Sequence, residues 1–205
     1  MNPIIEKSKL LIFDLGNVIL KIDMQATINA FQNFGIVGVE KHVTQSHSVG
    51  GIFTQFEQGL VTPDKFCDEL RKLSNSSITN AQIENAWNAM IGDISNNTIQ
   101  LIEQLKKEHI VVLLSNTNKI HFDYFDVKAK GYKSLSELFH KTWYSHEMHL
   151  SKPDKRIFEK VLTYHKCKPQ ETSFFDDSEL NIKAAQEMGI NAFVVDKNVG
   201  IEQWF

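Results

Sequence analysis

A chain of 205 residues allows one large domain, or one domain carrying a smaller insertion. Apolar residues make up 42% and charged residues 23%, so the chain can bury a full core without disulfide staples. The net charge of −3, with no long basic run, argues against nucleic acid as a partner.

In chain order, the opening MNPIIEKSKLLIF resembles a secretory signal only superficially. Glu6 sits among its first charges, and the apolar run Leu10–Phe13 ends at Asp14, too short for a signal core. That run is the first with strand character. From about residue 24 to 91 the pattern is helical, over 26–34, 51–58, 63–73 and 81–90, with Thr62 and Thr79 as caps and no convincing strand. Residues 74–77 read as a polar loop. Cys67 lies in this region, 100 positions from Cys167, so neither a disulfide framework nor a cysteine zinc site is expected, and a reducing compartment fits.

Beyond this region strands and helices alternate. Residues 97–108 place Ile99, Leu101, Ile102 and Leu105 on one helical face. Residues 110–114 form a second apolar run, ending at Ser115-Asn116, and Thr142-Trp143-Tyr144 is a weaker strand candidate. Pro153 opens a helix with Ile157, Phe158, Val161 and Leu162 as its stripe. A third apolar run, 173–175, ends at Asp176-Asp177; a helix over 180–188 stops at Gly189; a fourth run covers 192–195. No apolar run is long enough to span a bilayer, and a cytoplasmic location is expected.

Runs that are apolar on both faces suit strands covered by helices on both sides, as in a parallel sheet. The expected fold is therefore α/β, a doubly wound Rossmann-like parallel sheet. A small α-helical cap is inserted after the first strand, with 1–22 and 92–205 as core and 23–91 as cap. Ligands bind such sheets at the carboxyl ends of the strands. Asp14, Ser115, Asn116, Asp176 and Asp177 are expected to converge there. Three carboxylates repel unless a divalent cation neutralises them, and Mg²⁺ suits oxygen ligands and phosphate esters.

These residues carry a resemblance to the haloacid dehalogenase (HAD) superfamily, running from about Leu10 to Val195. Its motifs match Phe13-Asp14-Leu15-Gly16-Asn17-Val18, Leu114-Ser115-Asn116, Lys152-Pro153 and Phe174-Phe175-Asp176-Asp177, in the right order. The resemblance implies that Asp14 is the nucleophile and a Mg²⁺ ligand, with the Gly16 carbonyl and Asp176 completing the protein ligands and Asp177 acting through a bound water. It further implies that Ser115 and the Asn116 amide hold the phosphoryl and that Lys152 neutralises charge. Gly16 departs from the pattern, since most family phosphatases carry an aspartate there as general acid. Asp-Leu-Gly-Asn-Val, Ser115-Asn116-Thr117-Asn118 and Glu57-Gln58-Gly59 are similar to a branch containing α-glucose-1-phosphate phosphatases. A small phosphorylated metabolite is the expected partner, hexose 1-phosphates ahead of 6-phosphates, because a better leaving group needs the missing acid least.

Weaker candidates are His121 and Asn118 as substrate contacts and His149 at the site entrance. His146 and His149 stand three apart, which does not match the four-residue spacing of a zinc helix. Phe31, Phe34, Phe53, Phe56 and Phe66 read as lid core. Three other functions compete. A receiver domain has its acidic pair before the phospho-acceptor, whereas here it comes last. A dehalogenase would not need the Asp176-Asp177 pair. A binding protein would keep the fold and lose turnover through Gly16.

Overall fold

A computed structural model describes residues 2–36, 38–40, 51–74 and 77–205. Asn75 and Ser76 of the expected polar loop lie outside the described residues.

Five parallel strands form the main sheet: β1 (Leu10–Phe13), then β4 (Ile110–Ser115), β5 (Lys141–Tyr144), β6 (Thr172–Asp176) and β7 (Asn191–Val194), in the order β5-β4-β1-β6-β7. β1 sits at the centre, pairing Leu10 with both Ile110 and Thr172. Side chains alternate across a strand, so this sheet sorts its apolar residues into two cores. Leu11, Phe13, Val111, Leu113 and Phe175 face one way; Leu10, Ile12, Val112, Leu114 and Phe174 face the other.

On the second face, Ile157, Phe158, Val161 and Leu162 of one helix (Lys155–His165) pack with Ile182 and Ala185 of another (Glu179–Gln186). The first of these starts two residues after Pro153, not at it. Asp154 is its cap, accepting from the Arg156 amide at 2.9 Å. On the other face lie Ile99, Ile102 and Leu105 of the helix Asn96–Leu105.

A short helix α1 (Pro3–Glu6) precedes the sheet, and helices α2 (Met24–Asn33), α3 (Ile52–Glu57), α4 (Pro63–Arg71) and α5 (Asn80–Asn88) fall between β1 and β4. Thr62 and Thr79 cap α4 and α5, Thr79 through a reciprocal box with Gln82. Their shared core is aromatic: Phe66 stacks on Phe56 at 4.3 Å and meets Phe53 edge-on at 5.4 Å, with Trp87 beside both Phe53 and Phe66. Thr27 is fully buried and ties α2 to the end of α5, its hydroxyl within 2.9 Å of the Ala86 and Trp87 carbonyls and accepting from the Met90 amide.

The expected absence of strands around this region needs correction. β2 (Leu20–Ile22) and β3 (Ile91–Ile94) form an antiparallel ribbon at the root of the helices. A Cβ on Gly92 would lie 2.9 Å from the Lys21 carbonyl, so the two backbones approach as only glycine allows.

Candidate active site

The carboxyl ends of β1, β4 and β6 and helices α2, α3 and α5 line a cavity of about 190 Å³. Asp14, Gly16, Ser115, Asn116, Lys152, Asp176 and Asp177 all line it. They come together because β4 and β6 flank β1, so each chain direction delivers its strand-end residue to one edge.

Lys152 is the hub. Its Nζ donates to Asp14 Oδ1 at 2.6 Å, Asp176 Oδ2 at 2.7 Å and the Leu114 carbonyl at 2.8 Å, and the side chain is 1% exposed. Asn116 fixes the lysine backbone in a reciprocal pair: its Nδ2 donates to the Lys152 carbonyl and its Oδ1 accepts from the Lys152 amide, both at 2.8 Å. Ser115 is buried, with Oγ donating to the Asn116 carbonyl at 3.3 Å.

Asp176 accepts from the Ser178 amide at 2.8 Å and from Asn181 Nδ2. Asp177 accepts from Asn17 Nδ2 at 2.8 Å. Asn17 takes the left-handed backbone conformation (φ 56°), and its Oδ1 also accepts from the Ile22 amide at 3.1 Å. One side chain thus joins the loop after Asp14 to the acidic pair and to the β2–β3 ribbon. Asn17 lies within the first sequence motif without a role of its own there, and the motifs do not reach Asn181. Its position one turn into the helix after Asp176 is the signal that points to it.

Burial pushes the Asp14 carboxyl above its usual range; Lys152 opposes this, and Asp176 adds to it. Burial also raises Asp177, against the hydrogen bond from Asn17. For Lys152, burial works against the charge, but Asp14 and Asp176 hold the ammonium above its usual value. One carboxylate oxygen from each of Asp14, Asp176 and Asp177 lies within 4.8 Å of the others. Three carboxylates against one ammonium leave a formal surplus of two negative charges. Buried Asn181 Oδ1 has no hydrogen-bond partner among the described residues. This all-oxygen donor set fits a hard divalent cation.

The family described as "Haloacid dehalogenase-like hydrolase" matches residues 82–195. An HAD family enzyme of Bacteroides thetaiotaomicron, solved in complex with magnesium and inorganic phosphate, is 34% identical. The alignment covers 97% of this chain and 99% of that one, with a TM-score of 0.87. The chain belongs to the haloacid dehalogenase-like hydrolase family. A D-ribitol-5-phosphate phosphatase of the same organism is 29% identical over 188 residues, 90% of each chain. An L-2-haloacid dehalogenase of Xanthobacter autotrophicus shares the HAD fold, with a TM-score of 0.62 over 92% of this chain and 77% of that one, at 15% identity.

Of the weaker candidates, His121 lines the cavity of this HAD chain. It stacks on Trp87 at 4.6 Å, its Nδ1 lies 2.9 Å from Asn88 Oδ1, and burial drives its pKa down to about 3. It is therefore a neutral ring at physiological pH. Asn118 caps the helix Lys119–Phe125 through the His121 amide and does not line the cavity. His149 is exposed, with Nδ1 2.9 Å from the Gln58 carbonyl; His146 packs against Phe122 and Tyr144. Neither lines the cavity. Cys67 and Cys167 are free thiols. Among the described residues no helix is long and apolar enough to cross a membrane.

Proposed function

We propose that the chain is a Mg²⁺-dependent phosphomonoesterase acting on a small phosphorylated metabolite, a sugar or polyol phosphate, through an aspartyl phosphate on Asp14. The observation that carries this is the buried Lys152 ammonium shared by Asp14 and Asp176 beside Asp177, at the strand ends of the sheet. Phosphoryl transfer needs an anionic nucleophile held among cations, and this cluster supplies both.

In the first step an Asp14 carboxylate oxygen attacks phosphorus, and the bond to the leaving oxygen breaks. That oxygen takes its proton from water, because Gly16 offers no acid. In the second step water attacks phosphorus, the bond to Asp14 breaks, and inorganic phosphate leaves with the carboxylate regenerated. Lys152 holds Asp14 in place and balances charge on the transferring group. Ser115 and the Asn116 amide bind the phosphoryl oxygens. Asp14, the Gly16 carbonyl and Asp176 would hold Mg²⁺ directly, with Asp177 acting through a bound water. The ion supplies charge neutralisation for the phosphoryl oxygens. Residues 23–91 act as the cap over residues 1–22 and 92–205, and the free thiols fit work in the cytoplasm.

A cavity lined by both the strand ends and the cap favours a compact ester. Preference for hexose 1-phosphates over 6-phosphates rests on leaving-group chemistry at Gly16 and on the similarity to the α-glucose-1-phosphate phosphatase branch. The ribitol-5-phosphate phosphatase is named for an ester of a primary alcohol, so polyol 5-phosphates belong beside both hexose esters in a test. Purified enzyme with Mg²⁺ is expected to hydrolyse at least one of these small esters. Chelation should abolish turnover, and added Mg²⁺ should restore it. No activity on any of them, or turnover unaffected by a chelator, contradicts the proposal.

A further inference from the structure

The strand-end residues account for the phosphoryl group; the lid residues that line the same cavity have no role yet. Most of them are apolar, including Met24, Phe53 and Met90. One carries a carboxyl group, Glu57 at the end of α3. It makes no hydrogen bond or ion pair with any described residue. An unpartnered carboxyl among apolar neighbours costs stability, and such groups gather where a ligand completes the environment.

The backbone around Glu57 is fixed to the core. The Glu57 carbonyl lies 2.5 Å from Ser145 Oγ, which also accepts from the Thr117 amide at 2.8 Å, one residue beyond Asn116. Gln58 Nε2 donates to Ser151 Oγ at 3.0 Å, and the Gln58 carbonyl lies 2.9 Å from His149 Nδ1. Gly59, at φ 65°, presses on the His146 carbonyl, where an added Cβ would come within 2.0 Å. These contacts account for the Gln58-Gly59 part of the motif as a clasp between lid and core. They leave the Glu57 side chain unexplained.

We propose that Glu57 recognises the leaving group, its carboxyl hydrogen-bonding a hydroxyl of an uncharged sugar or polyol whose phosphate sits at Asp14. This rests on the phosphatase reading above. Burial pushes the Glu57 carboxyl up to about 8, so at neutral pH it is an acid with one donor and one acceptor, the complement of a hydroxyl. Two other polar groups lining the cavity are uncharged too: the His121 ring is neutral, and buried Trp87 Nε1 has no partner among the described residues. Among the described residues Lys152 is the one cation lining the cavity, and its bonds go to Asp14 and Asp176. A second phosphate or a carboxylate on the leaving group finds no counter-charge among the described residues. Phosphorylated acids and bisphosphates are expected to be poorer substrates than uncharged sugar or polyol esters.

The test compares full-length Glu57→Ala and Glu57→Gln with the parent enzyme in Mg²⁺, on a pentitol 5-phosphate, a hexose phosphate and p-nitrophenyl phosphate. The quantity read is the ratio of kcat/KM for each hydroxylated ester to that for the aryl ester, which has no hydroxyl to anchor. Glu57→Ala is expected to lower this ratio about 10–100-fold, the loss of one buried hydrogen bond. Glu57→Gln, which keeps a donor and an acceptor, is expected to recover most of it. An unchanged ratio in Glu57→Ala, or an equal fall on all three esters, overturns the assignment. So does a Glu57→Gln enzyme that loses kcat on the hydroxylated esters as fully as Glu57→Ala, since that marks proton transfer instead of anchoring. If Glu57→Ala does not fold, Glu57→Asp retracts the same carboxyl by one methylene and is expected to lower the ratio in the same sense. Parent enzyme inactive on all three esters contradicts the phosphatase reading. Parent enzyme active on them, with all variants alike, contradicts only the role of Glu57.

Discussion

Asp14→Asn is expected to lower kcat by about 10⁴-fold or more while the chain stays folded. The amide matches the carboxylate in size, and its oxygen can still accept from Lys152 Nζ, which lies 2.6 Å from Asp14 Oδ1. What it lacks is the negative charge that, in the proposed mechanism, attacks phosphorus and helps hold Mg²⁺. Stability is expected to move the other way. Asp14 is one of three clustered carboxylates facing a single ammonium, so neutralising it removes repulsion from Asp176 and Asp177. The denaturation midpoint in chelator should equal or exceed that of the parent enzyme. Steady-state rates and urea unfolding on the same preparation check both statements. A folded variant with substantial turnover contradicts the nucleophile assignment.

Lys152→Met has the second-largest expected effect, and it separates charge from volume. Methionine fills similar space but removes the ammonium that Asp14 and Asp176 share. Without metal, the three carboxylates then face no cation. Breaking a buried ion pair from one side typically costs about 3–5 kcal/mol, because a charge is left uncompensated. Mg²⁺ should restore part of that loss, since it supplies positive charge to the same oxygens. Catalysis does not recover in step: kcat is expected to stay about 10²–10³-fold down, the cost of one electrostatic contact to the transferring group. Unfolding curves with and without Mg²⁺, read beside kcat, check this. A variant whose stability in chelator matches the parent's shows that Lys152 is not the counter-charge of the cluster.

The sheet is legible in the sequence because its central strands are apolar on both faces. Runs such as Leu10–Phe13 and residues 110–114 leave no solvent-facing alternation to confuse with a helix. β5 is harder to read. It lies at the sheet edge, and Lys141 is exposed, so only Thr142-Trp143-Tyr144 carries a strand pattern. The β2–β3 ribbon is hidden for a different reason. Its strands are three and four residues long, and Gly92 and Asp93 interrupt the second. Close backbone approach selects glycine there, against the usual strand preference.

The site is legible only in part. Asp14 and Asp176 stand 162 positions apart, and no spacing rule joins them; a parallel sheet and the family motifs do. Lys152 illustrates the limit. A lysine before proline reads equally as a solvated loop residue, yet its side chain is 1% exposed between two carboxylates. Asn17 and Asn181 gain meaning only once folding sets them beside Asp177 and Asp176. Glu57 sits in a recognisable motif, but nothing in its neighbours along the chain shows that it lines a cavity with no partner for its carboxyl among the described residues.

The central claim is a phosphoryl group carried covalently on Asp14. Rapid acid quenching of the enzyme during turnover of a good aryl phosphate with Mg²⁺, followed by peptide mass spectrometry, tests it most directly. The account predicts an added phosphoryl mass on the peptide containing Asp14, absent without Mg²⁺ and absent from Asp14→Asn. An enzyme that turns over rapidly and carries no phosphoryl at any quench time, or carries it on a residue other than Asp14, contradicts it.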